Sequence, residues 1–177
     1  TLDRSSAASD VYKRQIINEA KSLICLEDEV LLPYQTLLAE ALMEFFISIG
    51  LYNDAEELLR RLEKIWNSLE DIKWDEVAEQ LNSKGIEENK DLLKEGTKRL
   101  VYSSLARYYH VFDVEKERKY VDAEYDAMIK EHGGEEKAKE SNLNNYFLAL
   151  IRRDAINSVL GEDLGKALEE VVKHSEE

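Results

Sequence analysis

With one proline and seven glycines in 177 residues, this chain has few places at which to turn sharply. Sheet-rich folds draw on those residues at their hairpins, so their scarcity argues for long helices. Cysteine is scarcer still. Cys25 stands alone, which excludes an internal disulfide and any metal site built from cysteine only, and makes the reducing cytoplasm the expected compartment. Positive charge is also short: 24 Lys and Arg face 38 Asp and Glu, a formal net charge of -14. Phosphate backbones and anionic bilayers are held by clustered Lys and Arg, so neither nucleic acid nor a membrane surface is an expected partner. No run approaches the ~20 consecutive apolar residues of a membrane span, and no signal peptide is recognisable.

Catalytic and cofactor signatures are missing too. The chain has no HExxH, CxxC, GxGxxG or GxSxG motif and no phosphate-cradling glycine-rich loop. His110, His132 and His174 are far apart, and none completes the Glu-x-x-His pattern of carboxylate-bridged metal bundles. Sequence therefore assigns no catalytic residue, no metal and no cofactor. Glu40 and Glu44 share a helix face, but a carboxylate pair of this kind is more often solvated than metal-bound. Helical ribonucleases of the HEPN class are set aside, because their motif needs a wider Arg–His spacing than Arg107 and His110 of LARYYHVF provide.

What is present is a helical alphabet: 44% hydrophobic and 35% charged residues, rich in Leu, Ala, Glu and Lys, as a globular all-α chain requires. The clearest unit is Leu37 to Trp66, two amphipathic helices folded back at Gly50. Leu37, Leu38, Ala41, Leu42, Phe45, Phe46 and Ile49 recur at helical spacing in the first arm, and Ala55, Leu58, Leu59, Leu62, Ile65 and Trp66 in the second. Gly50 supplies the left-handed residue of a helix C-terminus, and Asn53 with Glu56 reads as a capping box.

In chain order, residues 1–10, with VYKRQ after them, resemble a translated sequencing-adapter tail and are expected to lie outside a single helical domain spanning 11–177. A first helix follows over 12–26, with Ile16, Ile17, Ala20, Leu23 and Ile24 on one face. Pro33 suits the first turn of the next helix. After the central hairpin, Trp74, Val77, Ala78 and Leu81 mark a short helix. A second hairpin near 91–132 carries Leu93, Leu100, Val101, Leu105, Tyr108 and Phe112, then Val114, Val121, Tyr125, Met128 and Ile129. Asp113 caps its second arm, and Gly133 with Gly134 stops it. EEKAKESN reads as a charged connection or a first helical turn. A third pair near 143–174 is divided by Gly161, with Phe147, Leu150, Ile151, Ala155 and Val159 inward in its first arm. The count is eight helices in antiparallel αα-hairpins.

The central hairpin resembles a tetratricopeptide (TPR) repeat. Leu42, Met43 and Phe46 fall at its helix-A core positions, Gly50 and Tyr52 at the turn, Ala55 at the small helix-B position, and Leu59 with Leu62 after it. The other pairs depart from it: Glu117 stands where a small residue belongs, and the hairpins recur at roughly 50 to 60 residues rather than a constant ~34. Both an irregular helical bundle and a degenerate TPR-like solenoid remain open.

The resemblance implies a groove lined by the first arms of the hairpins. Its frame places Leu37, Glu40, Glu44 and Ile47 on one wall, Arg99, Tyr102, Ala106 and Tyr109 on the next, and Arg152 beyond. The partner-binding set expected from this frame is Glu40, Glu44, Arg99, Tyr102, Tyr109 and Arg152, for a protein or peptide carrying a basic segment beside apolar anchors. The sequence favours such a module over an enzyme. The alternatives are an enzyme or small-molecule binder whose site joins Glu40, Tyr102, Tyr109 and Arg152 in a helical cleft, and a subunit of a larger assembly. Core packing accounts for most of the tyrosine cluster between Tyr102 and Tyr125.

Overall fold

The structure, a computed structural model, describes residues 14–86, 89–141 and 143–159. Within them the fold is all-α, with no strand. The helices are α1 (14–24), α2 (Leu32–Ser48), α3 (Tyr52–Ser68), α4 (Trp74–Ser83), α5 (Lys90–Phe112), α6 (Val114–Glu131), α7 (Glu135–Ser141) and α8 (Leu143–Val159). A single 3-10 turn, Glu29–Leu31, precedes α2. The expected tail over 1–10, the turn at Gly161 and the arm over 163–174 lie outside the described residues. EEKAKESN, expected as a charged connection or a first helical turn, contributes a separate helix over Glu135–Ser141 with Ala138 buried.

Local chemistry sets most of the boundaries. Pro33 sits in the first turn of α2, where its missing N–H costs no helical bond. Gly50 adopts a φ of +76° beyond the end of α2, and Leu51 N–H donates back to the Phe46 carbonyl at 2.8 Å, the long bond of a Schellman turn. The Asp113 carboxylate accepts from Lys116 N–H at 3.1 Å and caps α6. The capping box at Asn53 does not form. The α3 helix already begins at Tyr52 behind Leu51, which offers no side-chain cap, and the short Gly50 turn leaves Asn53 inside the helix.

Three core clusters result. The largest joins α1 to α5, around Phe46, Met43, Leu62, Ile65, Val77, Leu81, Val101 and Leu105. A small second cluster joins α6, α7 and α8 around Tyr125, Met128, Tyr146 and Leu150. A third, of Ala106, Val121 and Ile156, joins α5, α6 and α8. The stripes expected for α3 and α4 are buried as read, Trp66 apart, which is half-buried. On α5, Leu93, Val101 and Leu105 are buried, whereas Phe112 is 48% exposed at the hairpin end.

On α2 the expected stripe is largely the wrong face. The inward residues are Leu32, Ala39, Met43 and Phe46 with Gln35 and Thr36, while Leu37, Phe45 and Ile49 are 56%, 41% and 53% exposed. The reason is that α2 is apolar nearly all round, so its periodicity does not select a face. The polar pair is the true marker. The Gln35 amide donates to the carbonyls of Leu23 at 3.0 Å and Leu26 at 2.9 Å. The Arg61 guanidinium of α3 adds a bond to Ile24 O at 3.2 Å. Together they satisfy the orphan carbonyls at the end of α1 and tie it to α2 and α3. The same apolar composition corrects the expectation about membrane-length runs. Glu29–Ser48 is long and apolar enough to cross a bilayer by length and composition, with a mean hydropathy of 1.4, although 39% of that window is buried in the fold. Gln35, Thr36, Glu40 and Glu44 interrupt the consecutive run without lowering the average enough.

The α8 stripe is rotated in the same way. Leu150 is buried as expected, but Ile151 is 42% exposed and Ala155 is exposed, while Tyr146 and Ile156 face inward. Tyr146 can be buried because its hydroxyl donates to the Glu135 carboxylate of α7 at 2.7 Å.

Candidate functional site

α5 and α6 form the most extensive helix pair, and α2 packs on α5 while α8 packs on α6. A trough of about 680 Å³ lies where these four helices meet. Glu40 of α2 lines one wall, and Leu148, Ile151 and Arg152 of α8 the other. The floor comes from Arg99, Ser103 and Arg107 of α5 and from Glu124, Met128 and Glu131 of α6.

Opposite charges cross the floor. Arg99 Nε donates to Glu131 Oε2 at 2.7 Å, and Arg152 Nη1 to Glu124 Oε2 at 3.1 Å. Gly96 makes room for the first pair: a Cβ there would stand 3.2 Å from Glu131 Oε1. A mid-helix glycine costs roughly 1 kcal/mol against alanine, and its place here is the close approach of that carboxylate to α5. Burial pushes the Glu124 carboxyl above the usual range, against the lowering effect of Arg152 and of a hydrogen bond from Ser103. Arg107 is the least satisfied member. Its Nη1 reaches Glu44 Oε1 at 3.5 Å, and its buried Nε–H has no acceptor.

Of the residues expected to line one groove, the trough brings together Glu40, Arg99 and Arg152, with Glu44 at its edge through Arg107. Tyr102 and Tyr109 do not join them, and Ala106 is fully buried. The correction follows from helix geometry: Arg99, Ser103 and Arg107 recur every four residues on one face of α5, and Tyr102 and Tyr109 occupy another. There Tyr102 lies 4.5 Å from Trp66, and Tyr109 stacks on Tyr120 at 5.6 Å with its hydroxyl 3.3 Å from Glu63 Oε1. Burial, helped by nearby glutamates, pushes both phenols up to about 12. The small-molecule site joining Glu40, Tyr102, Tyr109 and Arg152 is therefore not assembled. Ile47, expected on the wall, packs against the main core instead.

Sequence reasoning missed Ser103, Arg107, Glu124, Glu131 and Leu148. One signal could have found part of the set: Gly96 inside a strong helical pattern marks a close approach, and Arg99 stands one turn beyond it. Among the described residues, no group of three or more His, Cys, Asp or Glu gathers where it could hold a metal ion. No family model matches the chain, and no curated protein or solved structure matches it either.

Proposed function

We propose that this protein is an interaction module, a TPR-like or irregular stack of αα-hairpins that holds a segment of a partner protein along the outer face of α2 and the trough beside it. One observation carries the reading. The outer face of α2 combines exposed apolar side chains, Leu37, Phe45 and Ile49, with carboxylates that the fold leaves largely unspent. Glu40 makes no ion pair among the described residues, and Glu44, 61% exposed, meets Arg107 only at 3.5 Å. The floor, by contrast, neutralises itself through Arg99–Glu131 and Arg152–Glu124. A partner suited to this surface is a peptide or protein segment with apolar anchors beside Lys or Arg. The cytoplasm is the setting this reading assumes.

Glu40→Lys with Glu44→Lys reverses the charge of the wall without touching the buried face of α2. Capture of partner proteins from native lysate should fall in the double variant and weaken with added salt, because exposed charges are screened over about 8–10 Å. Retention of the same proteins by wild type and variant would remove the proposed surface. Flotation of the wild type with neutral lipid vesicles would overturn the protein-partner reading in favour of a lipid one.

A further inference from the structure

A second cavity, of about 610 Å³, adjoins the trough at the Asp113 end of the α5–α6 hairpin. Arg107 and His110 of α5, Val114 and Glu117 of α6, and Arg152, Ala155 and Ile156 of α8 line it. In a chain of net charge -14 its lining is unusual. The single carboxylate among these residues, Glu117, is 3% exposed, and both of its oxygens lie on His110 Nδ1, at 3.0 and 3.1 Å. Burying a carboxylate is costly unless it is paired, and the imidazole supplies that pairing. An ionised carboxylate only accepts, so Nδ1 carries the proton in the contact and the ring is held in one orientation. His110 itself is 70% exposed, with no partner for Nε2 among the described residues.

The two arginines complete the wall. Arg152 spends one of its donors on Glu124. Arg107 spends at most one on Glu44 at 3.5 Å, and its Nε–H is unmatched. A guanidinium offers five donors in a planar fork, so most of this capacity is unused among the described residues. Val114, Ala155 and Ile156 give the rest of the lining an apolar character.

We propose that this cavity is a binding site for a phosphate monoester with an apolar body. The phosphoryl oxygens would be held by the guanidinium groups of Arg107 and Arg152, with the His110 ring beside them, and the organic group would lie on Val114, Ala155 and Ile156. A phosphoryl group fits better than a carboxylate because its three terminal oxygens can engage two guanidinium groups at once, and arginine forks bind phosphate bidentately. The cavity shares Arg107 and Arg152 with the trough, but the assignment does not rest on the partner-binding reading, because neither Glu40 nor the exposed apolar face of α2 lines it.

The test is an NMR titration of the full chain with phenyl phosphate, inorganic phosphate and phenol, following the His110 ring and Ile156 methyl resonances. Phenyl phosphate should shift both groups at millimolar concentration or below, inorganic phosphate should bind more weakly, and phenol should not shift His110. Arg107→Gln should weaken phenyl phosphate binding by at least about tenfold, as expected for loss of a charge-assisted bond. Arg107→Lys, which keeps the charge and loses the fork, should lose less. Arg60→Gln, on an exposed pair with Glu56 on α3, should bind as wild type. Circular dichroism checks that each variant is folded. Absence of any His110 shift, or equal shifts in Arg107→Gln and wild type, would overturn the site. Equal binding of phosphate and phenyl phosphate would overturn the apolar part of it.

Discussion

The helices before the α5–α6 turn and those after it bury their side chains in different ways. From α1 to α5 the interior is mostly aliphatic, and Gln35 and Arg61 are spent on the close of α1. From α6 to α8 the interior is small and mixed. Tyr146 needs Glu135, Glu124 needs Arg152, and Glu117 needs His110. The first arrangement closes on itself. Both clefts lie along the seam where α6 and α8 meet α5, with Glu40 of α2 on the trough wall and the part-paired Arg107 of α5 in both. Stability is thus concentrated in the interior of α1 to α5, while the clefts lie on its seam with α6 and α8, as expected where sites sit in the less tightly packed part of a fold.

The largest effect should come from the first region. Leu59→Ala removes a side chain buried in the main core and should cost roughly 2–5 kcal/mol by denaturant melting. Leu150→Ala, at a residue 0% exposed against 7% for Leu59, should nonetheless sit at the low end of that range, because its cluster has fewer neighbours and relaxes into the adjoining cleft. Native-state hydrogen exchange sharpens the contrast: α6 and α8 amides should exchange before those of α3. A Leu150→Ala penalty well above that of Leu59→Ala would break the comparison.

A smaller effect concerns the seam between the regions, where Tyr102 and Tyr109 of α5 meet Tyr120 of α6. Both α5 phenols are pushed from about 10 to about 12 by burial first, then by Glu95 and Glu70 for Tyr102 and by Glu63 for Tyr109. The folded state therefore holds these protons when the unfolded chain has released them. The associated stability is complete below about pH 10 and is lost as pH rises toward 12. Melting temperature should fall across that window, alongside the rise in phenolate absorbance, and Tyr102→Phe with Tyr109→Phe should flatten the fall. A slope unchanged by both substitutions would place the alkaline transition elsewhere.

Sequence pattern and structure agree where a helix has one apolar face. α3 and α4 were legible for that reason, as were the caps at Gly50 and Asp113, whose chemistry is local. They part where apolar residues surround the helix. On α2, Leu37 and Phe45 satisfy the same period as Ala39 and Met43, and only the packing of α5 and the hydrogen bonds of Gln35 decide between them. The candidate site was legible in fragments, through Glu40, Arg99 and Arg152. Its remaining members depend on the register of α5 against α6, and no local motif encodes that register.

The smallest effect tests that distinction most directly. Leu37→Ala is the same chemical change as Leu59→Ala, made at a residue that the apolar period assigns to the core and the fold leaves 56% exposed. If α2 turns its Ala39–Met43–Phe46 face inward, the lost burial is slight and the change in unfolding free energy should stay within about 0.5 kcal/mol, the usual size of a surface effect. If the period were the better guide, the cost would approach that of Leu59→Ala. The same variant separates stability from binding. On the proposed α2 surface Leu37 is an apolar anchor, so capture of a partner should weaken while the melting curve hardly moves. A protein that melts much earlier would return Leu37 to the core, and with it the face on which the partner-binding proposal stands.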